Sequence, residues 1–335
     1  MRLAGHLAGD LARPLAAVLG AAWLAATLAF VLIHLAPGGP AVALGGESGA
    51  PGYLEDVARL YRLDRPLPEI YLDWLGNLLC GDLGYSYRSH RPVLGLILER
   101  LPVTLALVGP AALLSALVGT GLGLAQVPRP GRPRRWFVAA MAGLHALPSY
   151  LVGQGLIIVF ALWAGLLPVQ GLVDAREAAT GTARLLDMAR HLVLPVLALA
   201  LHSMTFMALL TRARLADELD KPYTVTAAAK GVAPMAVRRR HALPNAALGI
   251  ATLVGSRLGA FVAGAIVIET LFALPGLGRL AVTSAVARDH PVVVGIVLFT
   301  TVIVVAGNLA VDAALRRLDP RLDLRLDRRL DRAAR

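Results

Sequence analysis

Tyr223-Thr224-Val225-Thr226-Ala227-Ala228-Ala229-Lys230-Gly231 lies between two long apolar runs, and nine residues after its glycine comes His241-Ala242-Leu243-Pro244. The flanking runs, residues 191–210 and 244–272, are each long enough to cross a bilayer core, which takes about 20 residues. A polar island of residues 211–241 between two such runs has the size and chemistry of a docking handle on a membrane protein.

Four more runs nearly free of ionisable groups occur at residues 14–36, 102–126, 136–167 and 291–315, the last with Asp312 near its end. The expected fold is therefore an all-α integral membrane protein of about six transmembrane helices. Composition agrees. Only 16% of the 335 residues are charged and the mean hydropathy is +0.65, whereas soluble domains carry about a quarter charged residues.

Basic residues set the orientation, because short cytoplasmic loops retain Lys and Arg. The N-terminal stretch, residues 128–135, the island 211–241 and the tail beyond 315 hold 21 of the 33 basic residues against nine acids, Asp312 at the edge of the tail included. The rest of the chain has 12 basic and 13 acidic residues. Both termini and the island are thus placed in the cytoplasm, and the net charge of +11 reads as topology. Nucleic-acid binding would also give a basic chain, but here the arginines cluster at span ends. The first apolar run exceeds the roughly 7–15 residues of a signal-peptide core and is read as a retained span. One cysteine, Cys80, permits no internal disulfide, and no Cys/His cluster has metal-site spacing.

The chain divides into a tail and first helix at 1–36, an outer segment at 37–100, a five-helix core at 101–318 enclosing the loop 211–243, and a charged cytoplasmic tail at 319–335. The outer segment opens with the turn Ala36-Pro37-Gly38-Gly39-Pro40, is broken by Arg65-Pro66-Leu67-Pro68, and carries Tyr61, Tyr71, Trp74, Tyr85 and Tyr87 as interfacial anchors or contacts for an outer partner. The tail repeats Arg-Leu-Asp with a period of four, stacking Leu318, Leu322, Leu326 and Leu330 on one helical face. A basic amphipathic helix and a low-complexity extension both fit it.

Within the island, residues 211–220 extend the preceding span and Pro222 starts a short helix at its first turn. Thr226, Ala227, Ala228 and Ala229 let another surface approach closely, and Gly231 ends or bends the helix. Arg238-Arg239-Arg240 then meets the headgroups, and Pro244 is an early position of the next span.

This arrangement resembles the cytoplasmic loop of ATP-binding-cassette importer permeases, whose pattern is Glu-Ala-Ala, three residues, Gly, nine residues, Ile, any residue, Leu-Pro. Gly231, Leu243 and Pro244 match it. Val225, Thr226 and His241 replace the Glu, the first Ala and the Ile. The branch that imports peptides and nickel is closer, through Tyr223, Val225, Thr226, Ala227, Ala229, Lys230 and Gly231, with Val225 taking the place of an Arg. Similar blocks follow in order along nearly the whole chain: Trp74-Leu75-Gly76-Asn77-Leu78, Gly81-Asp82-Leu83-Gly84-Tyr85-Ser86, Leu98-Glu99-Arg100-Leu101-Pro102-Val103-Thr104, the stretch from Glu269 through Pro275 and Gly276 to Arg279, and Ala287-Arg288-Asp289-His290-Pro291.

The resemblance implies a type I importer permease fold with a long outer loop after the first helix. It further implies a multi-pass protein of the plasma (inner) membrane, paired with a second homologous permease. Two cytoplasmic ATPases would dock on Tyr223, Thr226, Ala227, Ala228, Ala229, Lys230, Gly231, His241, Leu243 and Pro244, and an external binding protein would deliver the cargo. No Gly-x-x-x-x-Gly-Lys-Ser/Thr loop occurs in this chain, so ATP is expected to be used by the partner subunits. No catalytic, cofactor or metal site is expected.

Polar residues inside spans favour a protein interior or a solute path, which marks Arg257, His202, Ser203, Gln154 and Asn308. Glu269, Pro275, Gly276, Gly278 and Arg279 mark an outer turn. Gly255, Gly259 and Gly264 suggest close packing along the fifth run. A secondary transporter would need in-span carboxylates or repeated halves, and a membrane enzyme a convergent nucleophile, base or metal cluster. Neither pattern is present. Peptide cargo is expected ahead of nickel or another small solute.

Overall fold

The computed structural model describes residues 2–35, 65–126, 135–174, 180–255 and 257–318. The turn at 36–40, Tyr61, the loop at 127–134, Arg176, Glu177 and the period-four tail lie outside these residues. Eleven helices carry the described fold: α1 Arg2–Leu35, α2 Leu67–Leu79, α3 Val93–Ala125, α4 Arg135–Ala146, α5 Ser149–Leu156, α6 Gly181–Leu219, α7 Pro222–Ala229, α8 Leu243–Gly255, α9 Leu258–Leu271, α10 Leu277–Val286 and α11 His290–Leu318. Among the described residues the only β pairing is an isolated bridge between Tyr85 and Pro92.

Among the described residues, each of the six expected apolar runs is mostly helical. Three helices, α3, α6 and α11, are each long and apolar enough to cross a membrane unaided. One run expected as a single span is interrupted instead. The third divides into α4 and α5, bent by 93°. The cause is Pro148, which lacks an N–H and pushes the preceding residue away from helical geometry; its own backbone is extended (ψ 137°). Helix α5 then widens into a π-helical stretch, Ile157–Trp163. The fifth run carries α8 and α9, with Arg257 at the N-cap of α9. Helix α6 is continuous although Pro195 lies inside it.

The chain forms two compact units. The first comprises residues 1–105 and 275–306, and the second residues 106–274 and 307–335. In the first unit Val93, Leu96 and Ile97 of α3 pack with Leu277 of α10 and with Val292 and Ile296 of α11. A hypothetical Cβ on Gly295 would sit 2.5 Å from Val93 Cγ1, so the missing side chain permits this approach. Tyr71 and Trp74 of α2 pack on Phe30 of α1, with ring centroids 5.2 and 5.5 Å away. The Tyr71 and Thr27 hydroxyls lie 2.8 Å apart. Helix α2 of the outer segment is therefore packed on the first helix. Ser86 donates to Asp289 Oδ2 at 2.5 Å and the Tyr87 amide donates to Oδ1 at 3.0 Å, tying this segment to the turn before α11.

In the second unit α6 is the central strut, packed by α4, α5, α8 and α9. Gly119 and Gly123 of α3 make the closest approach to it. A Cβ added at Gly119 would meet Met207 Cβ at 2.6 Å and the Met204 carbonyl at 2.7 Å; one added at Gly123 would meet Thr211 Cβ at 2.6 Å and the Ala208 carbonyl at 2.7 Å. Small residues four apart commonly serve membrane helices in this way. Of the glycines expected to pack along the fifth run, Gly264 faces Leu199, whose Cδ1 would lie 2.7 Å from an added Cβ.

Four helices end in the same hydrogen-bonded motif, in which a residue of positive φ closes two bonds back into the last turn. Gly81 ends α2, Gly231 ends α7, Ala273 ends α9 and Arg288 ends α10, with φ of 81°, 80°, 54° and 56°. At α9 the Leu274 amide donates to the Glu269 carbonyl at 2.8 Å, and at α10 the Asp289 amide donates to the Ser284 carbonyl at 2.8 Å. The two non-glycine positions are each followed by a buried residue, Leu274 or Asp289. That burial holds the unfavourable conformation in place.

Candidate functional site

The expected elbow is a short helix carried at the end of α6. Pro222 occupies its first turn, and Lys221, extended (ψ 148°), precedes it. Thr224 fixes the junction. Its side chain is buried, and its hydroxyl points at two carbonyls of the last turn of α6, Leu219 at 2.8 Å and Glu218 at 3.1 Å, and at the Lys221 carbonyl that caps α7, at 2.6 Å. The first two lie at the end of α6, where a helix leaves carbonyls without partners further along it. Glu218 pairs with Lys221 and accepts the Tyr223 phenol at 2.5 Å. Asn245 of α8 donates to the same phenol oxygen at 3.2 Å and to the His241 carbonyl at 2.8 Å. Tyr223 therefore links the elbow to both adjoining helices. Burial and the Glu218 carboxylate push its phenol up to about 12.

The far end of α7 is set by Gly231. The Gly231 amide donates to the Ala228 carbonyl at 3.0 Å and the Val232 amide to the Ala227 carbonyl at 3.3 Å. Thr224 and Ala227 face inward and are buried, while Val225, Thr226, Ala228, Ala229 and Lys230 are exposed. The return limb runs through a π-helical stretch, Val237–Ala242, with Val237 and Ala242 buried. Ala242 and Ala246 pack with Met207, Leu215 and Ile250. His241 and Leu243 are half-buried and Pro244 is exposed. Of the expected elbow residues, Tyr223 and Ala227 thus hold it in place and Thr226, Ala228, Ala229 and Lys230 present its outer face. Sequence reasoning missed Glu218, Thr224 and Asn245. Their spacing around Tyr223 carried a signal, since Glu218, Lys221 and Thr224 recur every three residues across the helix junction.

Three of the expected in-span polar residues gather on α6. His202 stacks on His145 of α4, with ring centroids 4.1 Å apart, and the Arg257 guanidinium carbon lies 3.5 Å from the Phe206 ring centroid. Ser203 is buried and lines a small cavity of about 10 Å³ together with Phe206 and Arg257. The other two lie apart from them. Gln154 donates to the Tyr150 hydroxyl at 3.0 Å, and Asn308 Oδ1 is sealed from solvent without a hydrogen bond among the described residues. His145 and Phe206, not singled out from the sequence, complete the cluster.

The expected outer turn falls where the chain passes from the second unit to the first. Glu269 is fully buried in the last turn of α9. Further along, Gly276 is extended and precedes α10 (φ −100°, ψ −174°). Lacking a side chain, it cannot cap the helix; Thr104 of α3 does so, accepting the Leu277 amide at 2.9 Å. Gly276 and Gly278 are buried, and Pro275 and Arg279 half-buried.

Two family models match the chain. The one described as binding-protein-dependent transport system inner membrane component covers residues 116–324, and the N-terminal model of the same system covers residues 11–108. The chain is 34% identical over 297 residues to the oligopeptide transport system permease protein AppB of Bacillus subtilis, spanning 88% of this chain and 92% of that protein. It is 35% identical over 295 residues to the glutathione transport system permease protein GsiC of Pectobacterium atrosepticum, again 88% and 92%. Its fold is similar to a chain of the inward-facing MetNI methionine ABC transporter, with TM-score 0.52 and 18% identity over 66% of this chain and 95% of that one. The helical fold and these matches show that the chain is a multi-pass ABC importer permease, a member of the binding-protein-dependent transport system inner membrane component family.

Proposed function

We propose that this chain forms, with a second homologous permease, the path by which peptides enter the cell, and that α7 is the surface gripped by a cytoplasmic ATPase. The observation that carries the second part is the exposed face of Val225, Thr226, Ala228 and Ala229 on a helix tied at both ends. A partner pressing on that face moves α6 and α8 with it, because Thr224 and Tyr223 leave little slack at the joints. Closure of two ATPases on ATP then biases a two-state change between outward and inward access. Hydrolysis takes place on those subunits, and an external binding protein hands the cargo to the outer mouth. The island and both termini face the cytoplasm, as the distribution of Lys and Arg supports. Peptide cargo is supported by the oligopeptide and glutathione permeases at 34% and 35% identity.

The test is a crosslink. Ala228→Cys in the assembled complex should join the ATPase under mild oxidation once that subunit carries a facing cysteine. Labelling of the same cysteine from the outer face of intact cells would overturn the orientation and the docking together. Uptake of labelled dipeptides and of nickel into proteoliposomes separates the two cargo classes.

A further inference from the structure

The bend between α4 and α5 and the start of α9 meet the same turn of α6. His145 stands one residue before the end of α4, next to the 93° bend. Arg257 stands at the N-cap of α9. Both reach the turn of α6 that carries His202 and Phe206, where the His145 ring centroid is 4.1 Å from that of His202 and 6.0 Å from that of Phe206. Irregular backbone at membrane depth is tolerated where it is buried in protein or borders a solute path, and transporters build binding sites at such discontinuous helices.

The chemistry at this meeting point is lopsided. Arg257 has no carboxylate partner among the described residues. Its guanidinium is held by stacking, 3.5 Å from the Phe206 centroid. Stacking engages the flat face of the group and leaves its edge, where the N–H donors lie, free for a planar two-oxygen acceptor. His202 adds a ring nitrogen, Nδ1, sealed from solvent and without a partner. The other imidazole is occupied: His145 Nδ1 lies 3.1 Å from the His202 carbonyl and 3.3 Å from Thr205 Oγ1. The cavity of about 10 Å³ beside Arg257 has room for about one water-sized group. One oxygen of a solute carboxylate fills such a space beside Arg257, with the remainder of the solute lying outside it. A lone cation in an apolar run, without a protein anion, marks a place where an anion visits.

We infer that Arg257, seated on Phe206 and flanked by His202, binds the C-terminal carboxylate of a peptide as it passes through this permease. The assignment rests on the peptide-import reading above and adds a specific contact to it.

The experiment is uptake into proteoliposomes holding the whole complex, with one labelled dipeptide supplied as the free acid and as its C-terminal amide. The quantity read is the acid-to-amide ratio of initial rates. The external binding protein contributes the same factor for every permease variant, and the ratio is internal to each preparation, so differences in assembly cancel. Wild type should prefer the acid, Arg257→Gln should lower the ratio by about tenfold or more, and Arg257→Lys should keep most of it. Phe206→Leu, which unseats the guanidinium without removing its charge, should lower the ratio by a smaller factor. It also carries the test if Arg257→Gln fails to assemble. An unchanged ratio in Arg257→Gln or Phe206→Leu would assign Arg257 to helix packing and overturn the site. Equal uptake of acid and amide by wild type would overturn it too, while leaving peptide import standing. Uptake of neither by wild type would remove the peptide reading and this assignment with it.

Discussion

Replacing Gly231 separates the backbone role of the elbow from its docking role. At φ +80° nothing lies within 4 Å of an added Cβ, so a side chain there meets no steric obstacle within the chain. The cost is conformational alone, about 1–2 kcal/mol for a residue with Cβ in the left-handed region. Asn tolerates this region and should pay a fraction of that. Ala273 and Arg288 occupy the same motif position with φ of 54° and 56°, but the residue following each is buried. Val232, which follows Gly231, is only half-buried, so burial does little to hold the elbow's terminus. Hydrogen exchange of the Val232 amide, bonded to Ala227, reads the effect directly. Protection should fall about 5- to 30-fold in Gly231→Ala and much less in Gly231→Asn. Gly231→Trp should match Gly231→Ala in exchange yet lose substrate-stimulated ATP hydrolysis in the complex, because its bulk stands where the partner must approach. Equal loss of protection in the Asn and Ala variants would refute the backbone argument. Normal coupling in the Trp variant would refute the docking argument.

Other perturbations follow from the same geometry. Gly123→Leu drives a side chain into the Ala208 carbonyl and Thr211; overpacking of this kind costs about 1–3 kcal/mol and should lower the melting temperature of purified protein well beyond Gly121→Leu, whose site has nothing within 4 Å. Ser86→Ala leaves buried Asp289 Oδ2 without the 2.5 Å hydroxyl; a loss of about 1–3 kcal/mol should appear in thermal unfolding, with Ser86→Thr less affected. Tyr223 is held neutral up to about pH 12, so its contribution to the elbow is full below the ordinary tyrosine range near pH 10 and fades as pH rises through the higher value. The difference in phenolate absorbance between wild type and Tyr223→Phe should accordingly rise near pH 12, and a rise near pH 10 would contradict the Glu218 contact.

The number and placement of apolar runs were legible because hydrocarbon demands length and freedom from charge, and both are local properties of sequence. The elbow was legible for a related reason: Pro222 and Gly231 carry their conformational restrictions with them. The division of the third run was written in Leu147-Pro148, though uninterrupted hydropathy across it suggested one helix. What escaped was pairing between distant segments. Asp289 looks like an ordinary loop acid until Ser86, 203 residues away, is found on it. Thr104 gives no local hint that it caps a helix beginning at Leu277. Likewise Arg257 was conspicuous alone, but Phe206 and His145 acquire meaning only once three helices meet.

The unit joining residues 1–105 to residues 275–306 imposes an order on biogenesis. Its first portion leaves the ribosome about 170 residues ahead of the second, an interval of about 10–35 s at 5–20 residues per second. Throughout that wait Val93 and Ile97 lack Leu277, Val292 and Ile296, and Ser86 lacks its carboxylate. The nascent amino-terminal third must be sheltered by the insertion machinery, and truncation anywhere before Pro275 leaves a fragment that quality-control proteases should recognise.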